Sequence, residues 1–534
     1  MNSKVADYTS RGLPRFSIPS KGVDDAVAYE LISSELELDG TPRLNLASFV
    51  HTRQSALATK LCLENISKNL IDSDEYPATT LIHTRLISMM AHLWHAPEDK
   101  HATGTATTGS SEAIQASRPS RTAHSMLTVQ VQLGGLAMKR IWQEKMRQQG
   151  KDEYRPGPNI VMGANAQVAL EKFARYFDVE MRLVPVTEES NYVMDPERAM
   201  EYVDENTIGV FVILGSTYTG AYENVAEMAK CLDEYEAKTG NSVPIHVDAA
   251  SGGFVAPFAT PHHKWDFRIP RVVSINTSGH KFGQAYVGVG VVVWRDAKHL
   301  PKDMVFELHY LGSVEYSFSL NFSRPAHPIL GLYYNLVYLG FEGYRQASLR
   351  NASNARLLAR ALENTKYYDV VSDLHRPLPG KSATSDDIED YPPSLPVVAF
   401  KFSDEFKKEY PDVKQKSIQT LLRSRSWIVP NYELPPDVEN VEILRVVVRE
   451  SMSEEMGKFF FFQERIRRNI ERLMTDILEI TEDLMQESKD TSAATRPERA
   501  HEKAQVGGTH GKHEREAAKH QGEAVRPTGH DSVC

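Results

Sequence analysis

The chain has 534 residues, a formal net charge of −10, 41% hydrophobic residues and 25% charged residues. That length allows one large domain and at least one smaller one, and the acidic balance argues against nucleic acid or an anionic membrane as the main partner. Cys62, Cys231 and Cys534 are odd in number and far apart, which suggests neither a disulfide framework nor a zinc cage and points to a reduced, cytoplasmic setting. Residues 1–19 lack a signal-peptide core, and no run approaches the ~20 apolar residues of a membrane span.

Residues 1–56 read as an N-terminal arm, with helical periodicity from Asp24 to Leu36 and a turn at Asp39-Gly40-Thr41-Pro42. Helical patterns dominate from Leu57 to Trp142. Strand-like runs then follow at 159–162, 181–185, 208–214, 245–247, 272–276 and 288–294, with helices at 166–176 and 225–239 between them. Such alternation predicts an α/β domain over 57–340 on a largely parallel sheet, with ligands at the carboxyl ends of the strands. A long helical pattern at 331–359 bridges to a smaller α+β domain over 341–486. That domain has strands at 395–402 and 441–448, a helix at 416–424 and a long helical pattern at 456–485. Residues 487–534 lack Phe, Tyr and Trp and are predicted to be disordered. His510, His513 and His520 in that tail could recruit a metal; a solvated tail is the weightier reading, and no metal site is expected.

Three segments carry chemistry. In Asn276-Thr-Ser-Gly-His-Lys281-Phe-Gly a lysine lies just past a strand. A lysine there is usually solvated decoration, but a desolvated amine is a good carbonyl nucleophile. In His246-Val-Asp248-Ala-Ala-Ser-Gly-Gly-Phe a carboxylate closes an apolar strand, followed by small residues that allow close backbone approach. It reads either as a cap or turn, or as the partner of a protonated ring nitrogen. Gly104-Thr-Ala-Thr-Thr-Gly109-Ser110-Ser111-Glu112-Ala113 is a Gly/Ser/Thr loop entering a helical start. It is either a capped turn or a phosphate cradle.

In this order the three segments resemble the group II pyridoxal-5′-phosphate (PLP) decarboxylases of fold type I. Asn45-Leu-Ala-Ser-Phe49, Asp74-Glu-Tyr-Pro77, Lys172-Phe-Ala-Arg-Tyr176, Asp266-Phe-Arg268 and Asn321-Phe-Ser-Arg-Pro325 narrow the resemblance to the glutamate decarboxylase family, over residues 25 to 465. It implies a PLP-dependent transferase fold of type I: a large domain with a mostly parallel, seven-stranded type of sheet, and a smaller α+β C-terminal domain. The implied activity is conversion of L-glutamate to 4-aminobutyrate and carbon dioxide. Lys281 would bind the cofactor covalently, and Asp248 would pair with its pyridine nitrogen. Gln167 would lie against the ring, with Thr217 and Ala250 lining the pocket. Ser110, Ser111, Ser278 and His280 would hold the phosphate, and Ser323 would reach it from the neighbouring subunit, which implies a homodimer or larger homo-oligomer. Ser48, Phe49, Asn69 and Asp72 would hold the distal carboxyl group of the substrate. Arg445 would pair with the α-carboxylate, and Tyr310 would help return a proton. Singly, Arg445 could be a structural ion pair, Tyr310 packing, and Ser48 with Phe49 a buried turn. Ser48 stands where some relatives have Thr, a departure that keeps the hydroxyl.

One segment departs from the family pattern. Gln115 and Leu133, adjacent in the family, are separated here by residues 116–132, which include Arg118-Pro119-Ser120-Arg121. A proline inside a helix costs ~3 kcal/mol, so the phosphate-binding helix is expected to be cut after one or two turns. The segment reads as a retained intron or as a loop that weakens the cofactor site; a transcript joining Gln115 directly to Leu133 would decide for the first. Two rival functions follow: another group II amino-acid decarboxylase, or a cofactor-free scaffold. The tail also lacks an aromatic anchor, so no calmodulin binding is expected.

Overall fold

The computed structural model describes residues 13–14, 16–97, 102–108, 129–308, 315–450 and 462–502. Seven strands form the main sheet: β1 (Gly104–Thr107), β2 (Asn159–Gly163), β3 (Glu180–Val184), β4 (Thr207–Ile213), β5 (Ile245–Asp248), β6 (Val272–Thr277) and β7 (Gly290–Trp294). Their order is β1-β7-β6-β5-β4-β2-β3. Strands β2 to β6 pair in parallel, while β7 is antiparallel to both β6 and β1. Every residue of β4 to β7 is buried. Helices on both faces leave no solvated side, so β4 and β7 read as near-continuous apolar runs, while β5 and β6 carry the buried polar residues His246, Asp248, Ser274 and Asn276 at alternate positions.

The helix Val129–Gln148 packs across β4 to β7, and its approach is set by two glycines. A Cβ on Gly134 would lie 2.6 Å from the His246 ring, and one on Gly135 would lie 2.5 Å from Phe173. The Leu-Gly-Gly pattern that resumes after the inserted segment therefore packs tightly on the sheet. The expected interruption ends earlier than its sequence boundary: residues 129–132 form the first turn of this helix, and Gln132 is buried. Residues 109–128, including Pro119, lie outside the described residues.

The start of the expected phosphate loop is also different. Gly104 to Thr107 form β1, an edge strand on β7. The β-branched Thr105 and Thr107 favour the strand, and Gly104 is required because a Cβ would lie 2.6 Å from the Val292 carbonyl oxygen. Strands β8 (Phe306–Leu308) and β9 (Glu315–Ser317) form a short antiparallel pair.

The helix His327–Asn364 breaks at Gly340 (φ 60°, ψ −174°), a left-handed φ that glycine adopts without strain. Its earlier half joins the large core through Ile329 and Leu332, while Ala355, Leu358 and Leu362 enter a second core. That core backs an antiparallel sheet of order β10-β11-β13-β12: β10 (Tyr368–Val370), β11 (Val397–Phe402), β12 (Asn431–Glu433) and β13 (Glu442–Val447). Residues 44–50, within the expected N-terminal arm, pack on the small domain. Leu46 is buried in the second core, and its backbone bonds to Ile428 and Val447.

The last described helix, Phe462–Glu502, enters the same core through Ile470, Leu473, Ile477 and Ile480. Its described span runs past the boundary expected at 487. Helix formation propagates outward from a packed nucleus, so a helix nucleated at Ile470 to Ile480 extends to its described end. Residues 503–534, with the three tail histidines, lie outside the described residues. Among the described residues, no helix is long and apolar enough to cross a membrane, and no group of three His, Cys, Asp or Glu could hold a metal ion.

Candidate active site

The carboxyl ends of β5 and β6 bring the two principal candidates together. Asp248 is the last residue of β5 and lies opposite Asn276 of β6 in register. Its Oδ1 accepts two hydrogen bonds, from the Ala250 backbone N–H (3.1 Å) and from Asn276 Nδ2 (2.9 Å). Among the described residues no hydrogen bond reaches Oδ2, so that oxygen is left for a donor from outside the protein. Lys281 follows β6 through the turn Ser278-Gly-His280, and the Ser278 backbone N–H bonds back to the Ala250 carbonyl. The Lys281 ammonium is buried and donates to Ser251 Oγ at 3.2 Å.

A third group closes on the same point from the small domain. Arg445, central in β13, is fully buried. Its Nη1 donates to the Thr217 carbonyl at 2.7 Å, and its Nη2 donates to the Ala47 carbonyl. Its guanidinium lies 4.9 Å from the centre of the Phe49 ring, and Lys281 Nζ lies 5.6 Å from the same ring. Phe49 also packs edge-on against Phe282. Thus Phe49, Thr217, Lys281 and Arg445 meet, with Ser48 beside them. Two cations lie against one aromatic ring, whose quadrupole offsets part of their desolvation. No carboxylate bonds to Arg445, so the reading of it as a structural ion pair fails among the described residues.

His280 is buried, and its Nδ1 bonds to the Val289 carbonyl at 2.9 Å. A carbonyl only accepts, so Nδ1 carries the proton. Burial, and then the charge of Lys281, pushes its pKa down to about 4. The neutral ring therefore presents Nε2 as an acceptor, and donation to an anion requires the imidazolium, which a bound dianion would favour. Gln167 is the N-cap residue of the helix Val168–Tyr176 and is partly exposed.

Asn69, Asp72 and Ser323 form a separate group. Asn69 Nδ2 donates to Asp72 Oδ1 (3.3 Å) and Ser323 Oγ (3.4 Å), and Asn69 Oδ1 accepts from the Arg324 backbone (3.0 Å). Ser323 is exposed. Asn69 and Asp72 were expected beside Ser48 and Phe49, but they associate instead with the residue expected to serve the neighbouring subunit. Ser110, Ser111 and Tyr310 lie outside the described residues.

Several polar residues of the site were not singled out from sequence. His246 bonds through Nδ1 to Ser274 Oγ and through Nε2 to Asn276 Oδ1, both at 2.7 Å. Arg449 donates to the Val50 and Asn45 carbonyls, and burial brings its pKa down to about 10. His51, beside it, is pushed down to about 3 by burial and then by the Arg449 charge. Glu223 is buried and accepts from Ile213 N–H (2.7 Å), Asn165 Nδ2 (3.0 Å) and Met194 N–H (3.3 Å). Burial raises its pKa to about 7 against those three donors. A signal existed for His246 and Asp248, and for Ser274 and Asn276: polar residues two apart in apolar strands share one face.

A buried lysine amine, a strand-end carboxylate with one oxygen left open, and a run of small residues between them form a donor set that fits a pyridine aldehyde cofactor. The family model described as "Pyridoxal-dependent decarboxylase conserved domain" matches residues 33–378. The chain belongs to the pyridoxal-dependent decarboxylase family. It is 44% identical to the glutamate decarboxylase of Saccharomyces cerevisiae over 504 residues, covering 89% of this chain and 82% of that one. It is 39% identical to glutamate decarboxylase beta of Listeria innocua over 459 residues, covering 86% and 90%. Among solved structures, the glutamate decarboxylase of Lactobacillus brevis superposes with a TM-score of 0.78 at 33% identity, over 90% of this chain and 98% of that one.

Proposed function

We propose that this protein is a PLP-dependent carboxy-lyase that converts L-glutamate to 4-aminobutyrate and carbon dioxide. The observation that carries the reading is the pairing of Lys281 and Arg445 across the Phe49 ring. It sets a cation for the substrate α-carboxylate within reach of the amine that anchors the cofactor. Bound PLP supplies the electron sink for the pair left behind when the carboxylate departs.

The chain's own residues supply the rest. Lys281 anchors the cofactor and gives way to the substrate amine. Asp248 holds the ring-nitrogen proton through Oδ2, while Oδ1 stays bound to Ala250 and Asn276. Gln167 would lie against the ring, and Thr217 would line the pocket. Ser278 and His280, with Ser110 and Ser111, hold the phosphate. Arg445 orients the α-carboxylate. Ser48 and Phe49 would hold the distal carboxyl group, Asn69 and Asp72 would reach it from the neighbouring subunit as Ser323 reaches the phosphate, and Tyr310 would help return a proton to Cα. Ser323 is exposed beside Asn69, which supports its serving a second subunit, and so a homodimer or larger assembly.

The test is a visible spectrum of the protein with PLP, followed by borohydride reduction, peptide mapping and a substrate panel. The expected result is a visible absorption band, a label fixed on Lys281, and carbon dioxide release from glutamate but not from tryptophan or tyrosine. A label elsewhere, or turnover of aromatic amino acids alone, overturns the reading.

A further inference from the structure

The polar line behind Asp248 has no role in the reaction as set out above, yet it has a direction. Ser274, His246, Asn276 and Asp248 are joined by three hydrogen bonds of 2.7, 2.7 and 2.9 Å. Every residue in the line is at least nine-tenths buried. The His246 ring is clamped as well as bonded: Phe211 lies edge-on at 5.2 Å, and Gly134 closes the other approach, with no room for even a Cβ.

Direction follows from donor and acceptor chemistry. An ionised Asp248 can only accept, so Asn276 must turn its Nδ2 toward the carboxylate and its Oδ1 toward His246. Asn276 Oδ1 also only accepts, so His246 Nε2 must carry a proton. Burial holds the imidazole neutral at ordinary pH, with a pKa near about 4, so it has one proton and Nδ1 must accept from the Ser274 hydroxyl. All three donors then point toward Asp248. The opposite direction requires a protonated Asp248, a flipped Asn276 amide and the other histidine tautomer together.

We propose that His246 is a positioning residue, which acts through Asn276 to keep the Asp248 carboxylate ionised and turned with Oδ2 toward the cofactor's ring nitrogen. The proposal rests on the reading of Asp248 as the partner of that nitrogen. Without the line the carboxylate would be held by the Ala250 N–H alone, a single pivot about which it could turn, and it could take a proton and lose its attraction for a pyridinium. Three charge-assisted or polarised donors in series oppose both.

The test is a cycle between the protein and the ring nitrogen. The full chain, stripped of cofactor, is titrated with PLP and with its 1-deaza analogue, in which a C–H replaces the nitrogen. Wild type should bind PLP about tenfold or more tightly than the analogue, the scale of one charge-assisted hydrogen bond. His246→Leu should cut that preference to within about threefold, while His246→Gln, which restores an N–H at the Nε2 position, should recover it. Asn276→Leu severs the same link and should match His246→Leu, which guards against one variant failing to fold. Thermal midpoints of the stripped proteins separate a general loss of structure from a specific loss of preference. If Asp248→Asn abolishes the preference but His246→Leu and Asn276→Leu leave it at the wild-type level, the relay is overturned and the Asp248 pairing stands. If Asp248→Asn also leaves it unchanged, the pairing itself fails and the relay fails with it.

Discussion

The molecule buries charge in two ways, a short distance apart. On β5 and β6, Asp248 ends a line of neutral side chains whose hydrogen bonds all run toward it. At the joint between residues 45–50 and the small domain, Arg445 and Arg449 are held by the backbone carbonyls of Thr217, Ala47, Val50 and Asn45. The strand line is made of groups two residues apart on adjacent strands, so the sheet itself sets its geometry. The arginines bind across segments far apart in sequence, so their geometry exists only once both domains have docked. A carbonyl satisfies a guanidinium donor without neutralising it. The joint therefore keeps net positive charge, which suits it to receive an anion, whereas the strand line keeps a negative charge to meet a cation.

Removing the charge at the end of the strand line should have the largest effect. Asp248→Asn is nearly isosteric and leaves an acceptor for the Ala250 N–H, yet cannot stabilise a protonated ring nitrogen. A fall in kcat of about a thousandfold or more is expected, on the order of 4 kcal/mol. Steady-state decarboxylation measured on cofactor-saturated protein checks it; a fall of less than tenfold would contradict the role.

At the joint, Arg445→Lys keeps the charge but loses the fork that binds two carbonyls at once. The expected loss in kcat/KM is about a hundredfold, from displaced positioning and an unsatisfied buried carbonyl. Glutamate kinetics for this variant beside Arg445→Gln would separate charge from geometry. If the lysine variant is indistinguishable from wild type, the fork is irrelevant and only charge matters.

Much of this arrangement was legible in the chain. Strands β2, β4 and β7 were readable because strands covered on both faces are apolar almost throughout, and the segments around Asp248 and Lys281 could be placed at one end of the sheet by their spacing. What escaped was set by tertiary contact. Gly104 to Thr107 look like loop chemistry, and become a strand only because β7 offers a partner edge. Residues 44–50 carry no signal of belonging to the small domain, whose sheet lies nearly four hundred residues later. His246 drew no role from the sequence because nothing local shows that Ser274 and Asn276 face it. The grouping of Asn69 and Asp72 with Ser323 is likewise a long-range fact.

The strand line also depends on what covers it. Gly134→Val would push a side chain into His246, where even a Cβ lies 2.6 Å from the ring. Overpacking of this kind costs about 1–3 kcal/mol. The expected signature is a lower denaturation midpoint together with weaker PLP binding. Lys145→Ala, at the far end of the same helix, should show neither. Equal losses in both variants would mean that the helix acts only as a general support.

The smallest effect is expected at β1, where a buried arginine is again held by a backbone carbonyl. The Ala106 N–H donates to His83 Nε2 at 2.9 Å, while the Ala106 carbonyl accepts from Arg324 Nη1. Desolvation, and then the Arg324 charge, pushes the His83 pKa down to about 4 from its ordinary 6.5. The folded state therefore holds this imidazole neutral where the unfolded chain would protonate it. For a group depressed in this way, the stabilisation is whole above pH 6.5 and is lost as pH falls toward 4. The slope is at most about 1.4 kcal/mol per pH unit, the value for one proton. His83→Gln keeps an acceptor for Ala106 but does not titrate. Its stability relative to wild type should rise as the pH is lowered through that window and stay flat above it. Urea denaturation at intervals from pH 4 to 8 measures this directly. A constant difference across the range would mean that His83 takes up its proton equally in the folded and unfolded states, and that neither burial nor the Arg324 charge governs it.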